Sequence, residues 1–164
     1  MLSAIEIYNK PNFHYREETF AILAVNAWEL LFKAIILRQN RYNMRSLFVL
    51  KPHVNRNGSK STTKKIVDKN RSGNPKTISI LEALSILRNQ KYLTANLCGN
   101  IEAIIELRDN SIHFANTEDI SHLVQELGFA CIKNYISLIR EKKIEIELSN
   151  YNFYLMPLAY VSSN

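Results

Sequence analysis

Glycine and proline are scarce, four of each in 164 residues. Collagen-like and linker-dominated architectures are thereby excluded, and long uninterrupted helices are favoured. Cysteine occurs twice, at Cys98 and Cys131, in helical patterns without metal-ligand spacing. That pattern excludes a disulfide framework and predicts buried, reduced thiols of an intracellular chain. His14, His53 and His122 have no partners at ligand spacing, so no metal and no cofactor is expected. The opening "MLSAIEIYNK" carries Glu6 and lacks a basic stretch leading into an apolar run. No secretory signal is read there, and a cytoplasmic protein is expected.

Apolar residues make up 46% and charged residues 22%, a globular composition, and the length suits one domain with a real core. Residues 20 to 37, "FAILAVNAWELLFKAIIL", have the length of a membrane span. Asn26, Glu29 and Lys33 inside it are costly in lipid, so a buried bundle helix without membrane contact is expected. The net charge of +6 is concentrated. Residues 51 to 76 hold eight bases (Lys51, Arg56, Lys60, Lys64, Lys65, Lys69, Arg71, Lys76) against Asp68 alone, a segment of +7 on a body of −1. Such a segment is either a polyanion contact or a solvated lysine-rich loop.

Helical periodicity places a short amphipathic helix over Leu2 to Tyr8, ended at Pro11, and a long one over residues 16 to 38 that opens with the acidic turn "REET". The long helix is apolar on nearly all sides, which places it mid-bundle. Its interruptions Asn26, Glu29 and Lys33 share one face. They are either an i,i+4 pair on a partly exposed edge or a polar seam at a functional cleft or partner subunit. Residues 39 to 50 read as a helix end and a short extended piece. The basic segment, with Asn57-Gly58 and Ser72-Gly73 as turn signals, is a long loop or mobile hairpin. A third helix follows at 77 to 89, with Ser79 and Glu82 as a capping box and Ile80, Leu81, Leu84 and Leu87 as its stripe. The fourth covers about 94 to 112. The fifth covers 118 to 142, started by Asn116 or Thr117, with Ile120, Leu123, Leu127, Ala130, Ile132 and Ile136 as its stripe. From Ile144 the period changes to two, and residues 142 to 164 read as a strand-like tail, an added hairpin or the beginning of a second domain. No internal repeat is apparent. The expected fold is all-α: an up-and-down bundle of about five helices over residues 1 to 141, with a long basic loop insertion at 51 to 76 and a short strand-like C-terminal tail.

The most unusual stretch is "ELRDNSIHFAN", residues 106 to 116. At about 100° per residue, Ile101, Ile104, Ile105, Arg108 and Ile112 share one face of the fourth helix. An unpaired guanidinium there is expensive, so Arg108 must meet an acid such as Glu29, open into a cleft, or lie at a subunit interface. His113 falls about 140° away on a regular helix. Either the poor helix formers Asp109, Asn110 and Ser111 loosen the turn, or a second copy of the chain completes the site. Taken alone, His113 is a cap or surface residue.

The spacing R-x4-H at the end of a bundle helix, with a polar residue after the arginine, resembles the signature of the HEPN superfamily (higher eukaryotes and prokaryotes nucleotide-binding domains). "RDNSIH" matches it with Arg108, Asp109 and His113. The opening "AIEIYNKPNFHYREETFAILAVNAWELLFKA" is similar to an uncharacterised bacterial branch, so the resemblance extends over about residues 4 to 141. It implies a helical bundle, a homodimer with facing motifs, and in many members metal-independent endoribonuclease activity as toxins or antiviral effectors, some restrained by an antitoxin-type partner. By that resemblance His113 is the general acid/base, Arg108 the phosphate-orienting cation, and Asp109 or Asn110 their support. Lys60, Lys64, Lys65, Lys69 and Arg71 become a backbone clamp for single-stranded or looped RNA. Tyr42, Phe48 and Tyr92 can stack on bases, although core packing is the simpler expectation for each. Two other readings stay open: a non-catalytic RNA- or nucleotide-binding module, and a helical dimerisation domain with a structural Arg108.

Overall fold

The computed structural model describes residues 1–10, 12–112, 121–145, 150 and 153, without the side chains of 112 and 121–123. Five helices, α1 (Leu2–Tyr8), α2 (Arg16–Gln39), α3 (Ile80–Asn89), α4 (Ala95–Ile112) and α5 (Ser121–Glu141), accompany a 3-10 turn at Met44–Leu47 and strands β1 (Leu50–Val54) and β2 (Lys60–Val67). The strands pair antiparallel. The all-α expectation is therefore wrong, because the basic segment is ordered sheet rather than a loop on a helical bundle. Of the two forms weighed for that segment, the hairpin is the one adopted, since each glycine turn signal closes a real turn. The chain divides into two compact units, residues 1–28 with 93–164 and residues 29–92.

In the first unit, α1 buries Ala4, Ile5 and Tyr8, one face of a two-turn helix. The Tyr8 ring meets Phe20 edge-on at 5.5 Å. Trp28 is fully buried, stacks edge-to-face on Tyr135 at 5.2 Å, and donates its Nε1–H to Cys131 Sγ at 3.0 Å. Helix α4 packs against α5. The α5 stripe differs from the expected one: Val124, Cys131, Ile132, Leu138 and Ile139 are buried, while Leu127, Ala130 and Ile136 are only partly covered. Ile132 is the stripe residue found buried, and Cys131, Leu138 and Ile139 extend a face that the expected stripe left out. Both cysteines are buried and unbridged. The start of the fifth helix and nearly all of the strand-like tail lie outside the described residues.

In the second unit, α3 begins as expected. Ser79 Oγ accepts from the Glu82 amide, and the Glu82 carboxylate accepts from the Ser79 amide. Ile80, Ala83, Leu84 and Leu87 are buried, whereas Leu81, expected on the stripe, is 54% exposed. Helix α2 is long and apolar enough to cross a membrane, with 56% of its most apolar window buried inside the fold.

Helices α2, α3 and α5 end alike. Arg41, Lys91 and Lys143 take left-handed φ of 52°, 54° and 49°. The residue after each donates five positions back: Tyr42 to Leu37 O (2.7 Å), Tyr92 to Leu87 O (2.9 Å) and Ile144 to Ile139 O (3.0 Å). These are Schellman terminations with a long cation where glycine is usual.

A candidate phosphate site on α4 and a basic ribbon

Arg108 sits in the last turns of α4, below the buried Ile101, Ile104 and Ile105. It follows the isoleucine face, as the periodicity predicted. Its Nε is buried and makes no hydrogen bond. Asp109 Oδ1 lies 2.6 Å from that Nε, close enough for an ion pair, but off the N–H direction. The Arg108 side chain is 21% exposed and that of Asp109 53%, so the pair opens outward. Beside it Ser111 is buried and donates to Leu107 O at 2.7 Å, a back-bond that closes the helix's own backbone. Asn110 is exposed. His113 lies outside the described residues, so its meeting with Arg108 has no geometry here.

An i,i+1 pair with a half-exposed aspartate returns little stability, while a buried, unbonded guanidinium donor costs a few kcal/mol. Arg108 is therefore poorly explained as a structural ion pair. The partner suggested for that role, Glu29, is engaged elsewhere: its carboxylate accepts from Lys33 Nζ, which also donates to Thr77 Oγ1 at 2.9 Å. Glu29 and Lys33 thus form the i,i+4 pair, and Lys33 ties α2 to the residues leading into α3. Asn26 is exposed.

The basic segment is built from two turns of the same design. In "NRNGS", residues 55–59, Gly58 N donates to Asn55 O at 3.0 Å and Asn55 N to Ser59 O at 2.8 Å. In "NRSGN", residues 70–74, Gly73 N donates to Asn70 O at 3.0 Å and Asn70 N to Asn74 O at 2.9 Å. Gly58 and Gly73 have φ of 80° and 82°, which only glycine adopts cheaply. This local duplication goes unseen when repeats are sought at longer periods, and it puts Arg56 in the same place as Arg71. Arg56 belongs with the candidate phosphate contacts, and the matching pentapeptides are the signal that identifies it.

Register pairs Leu50 with Val67, Lys51 with Ile66 and Pro52 with Lys65; a bulge follows before Val54 meets Lys60. Bridges from Phe48 to Thr77 and Lys69 to Pro75 add a short third run. Asp68 is the hub. Its amide donates to Val49 O (2.8 Å), its carbonyl accepts from Lys76 N (2.9 Å), and its carboxylate receives Lys51 and Lys76 Nζ, each at 2.7 Å. Hydrogen bonds from Lys51 and then Lys76 hold its pKa down at about 2. Two of the eight cations are thus committed internally. Lys60, Lys64, Lys65 and Lys69 are exposed, as are Arg56 and Arg71, and none makes an ion pair among the described residues. Tyr42, expected in the core, is 74% exposed because it follows the left-handed turn ending α2. Phe48 and Tyr92 are partly covered.

No curated protein and no solved structure matches the chain. One family model does, over residues 1–164: Domain of unknown function (DUF3644). With its whole length matched, the chain belongs to the DUF3644 family.

Proposed function

We propose that this protein is a metal-independent endoribonuclease of HEPN type, in which Arg108 and His113 form the cleaving pair. The observation that carries this reading is Arg108 itself: a guanidinium set into an apolar helix face, with a buried unbonded Nε and an opening to solvent beside Asp109. A buried polar atom left without a hydrogen bond beside an opening to solvent is a mark of functional sites. In the reaction the RNA 2′-oxygen attacks its own phosphorus, the bond to the 5′-oxygen breaks, and a 2′,3′-cyclic phosphate and a 5′-hydroxyl result. His113 moves the proton, near neutral pH, from the attacking hydroxyl or to the leaving oxygen. Arg108 neutralises the charge that builds on the phosphorane, and Asp109, with Asn110 beyond it, orients the guanidinium. The exposed cations of the ribbon hold the backbone. A homodimer with two facing motifs, acting as a toxin or antiviral effector under a restraining protein partner, completes the proposal.

The test is incubation of the purified chain with mixed RNA in EDTA, beside Arg108→Ala and His113→Ala. Cyclic-phosphate ends produced only by the intact chain are expected. Intact RNA with all three folded proteins would sink the catalytic reading. A non-catalytic RNA-binding module is the second reading, favoured by the exposed cations on the ribbon, and it predicts retention of RNA without products.

A further inference from the structure

Among the described residues β1 and β2 make the whole sheet, so each strand has one edge without a neighbour. The two edges differ. The Asp68 amide donates to Val49 O, so at that pair the backbone groups turn inward. Inward and outward pairs alternate along an antiparallel ladder. Leu50 and Val67 therefore turn theirs outward, Lys51 and Ile66 inward, and Pro52 and Lys65 outward again. On β1 the outward position at Pro52 has no N–H to give, which blunts that edge. On β2 the outward positions, Lys65 and Val67, keep both N–H and C=O. The regular register stops beyond Lys65: residues 61–64 bulge against residue 53, and the Lys64 amide is taken by Ser61 Oγ at 2.9 Å. Within the regular part, Lys65 lies on the face of Pro52 and Ile66 on the opposite face with Lys51. Lys65 is exposed and Ile66 is 38% exposed.

An open strand edge is a template for another strand, and lysine on it repels copies of itself. An acidic strand meets no such repulsion. The charge favours one: Lys60, Lys64, Lys65, Lys69, Arg56 and Arg71 are exposed without ion pairs among the described residues, while the one acid of the segment, Asp68, holds Lys51 and Lys76. Nucleic acid would answer the cations but not the outward N–H and C=O groups, nor the exposed Ile66. An extended peptide of alternating acidic and apolar residues answers all three. We propose that the free edge of β2 at Lys65 to Val67 is a docking site for an extended acidic segment of a partner protein, which adds a strand to the sheet. An acid of that segment lies beside Lys65, and a β-branched residue lies beside Ile66 on the other face. The inference goes beyond the ribonuclease reading and stands whether or not the chain cuts RNA.

The experiment titrates the intact chain with a synthetic octapeptide of alternating glutamate and valine. Two controls are used: the same peptide N-methylated throughout, and one with lysine in place of glutamate. Binding of the first peptide alone is expected. At saturation the outward amides of Lys65 and Val67 should exchange with solvent at least about tenfold more slowly, while the inward amide of Ile66 changes less. Lys65→Glu, at an exposed position without an ion pair, should lower the affinity at least about fivefold. No binding of the glutamate–valine peptide overturns the inference, and so does equal binding of either control, since the contact is then not a paired acidic strand. Binding without slower exchange at Lys65 and Val67 overturns it as well. If a 2′-O-methyl RNA binds and the peptide does not, the cations serve nucleic acid alone and the inference falls, whatever becomes of cleavage. Peptide binding with those amides protected, while ordinary RNA is left whole, upholds the inference as the ribonuclease reading falls.

Discussion

At the scale of single residues, Arg108 separates function from structure. If its guanidinium serves phosphate rather than the fold, Arg108→Ala removes a buried unbonded donor and leaves the thermal midpoint unchanged or raised, while RNA cleavage falls at least about 100-fold. Arg108→Lys should not restore activity, because an ammonium lacks the planar fork. A midpoint lowered in parallel with activity would return Arg108 to a structural role. Cys131 makes the opposite case, a reactive atom put out of use. Burial raises its pKa to about 11, against the hydrogen bond from Trp28, which acts in the other direction. The thiol is thus protonated near neutral pH, and the native protein should leave it unmodified by a thiol reagent at pH 8, with modification only after denaturant is added. Asp68 sets a third expectation. Its pKa is held at about 2, below the ordinary 3.8. The stabilisation is present above the ordinary value and lost as pH falls from about 4 towards 2. Asp68→Asn should remove that acid dependence and speed amide exchange in residues 49–76, read by hydrogen exchange.

At the scale of elements, the C-terminal ends of the helices were legible to within a residue, but the left-handed geometry that closes α2, α3 and α5 was not. Ser79 and Glu82 have the spacing of a capping box, and the box is there. The stops at Arg41, Lys91 and Lys143 carry no glycine signal, since a chain with four glycines places cations at left-handed positions. Each such residue costs about 1 kcal/mol relative to glycine. Lys91→Gly should therefore stabilise the protein by up to about 1 kcal/mol in a denaturant titration. No gain would mean that the Lys91 side chain contributes as much as its backbone costs. The ribbon was half legible. Asn57-Gly58 and Ser72-Gly73 identified the turns, but exposed strands of lysine and threonine lack the apolar alternation by which a strand is read. Backbone pairing and the Asp68 hub hold them where no buried face does.

At the scale of the whole molecule, the proposed homodimer makes a direct prediction. Sedimentation at low salt should give about twice the chain mass of 19.0 kDa, and a monomer that still cleaves RNA would show that one chain holds a complete site. Sequence by itself determined the five helices and most of their limits, the apolar character of α2, the burial of both cysteines, and the place of Arg108 on the isoleucine face. These follow from periodicity and local hydrogen bonding, which act within a few residues. Only tertiary structure decided that Leu81 faces solvent, that Leu138 and Ile139 rather than Leu127 and Ile136 are buried on α5, that Lys33 reaches Thr77, and that Lys51 and Lys76 converge on Asp68. Each depends on which groups the fold brings together across long stretches of chain, and residue type and spacing do not encode that choice locally.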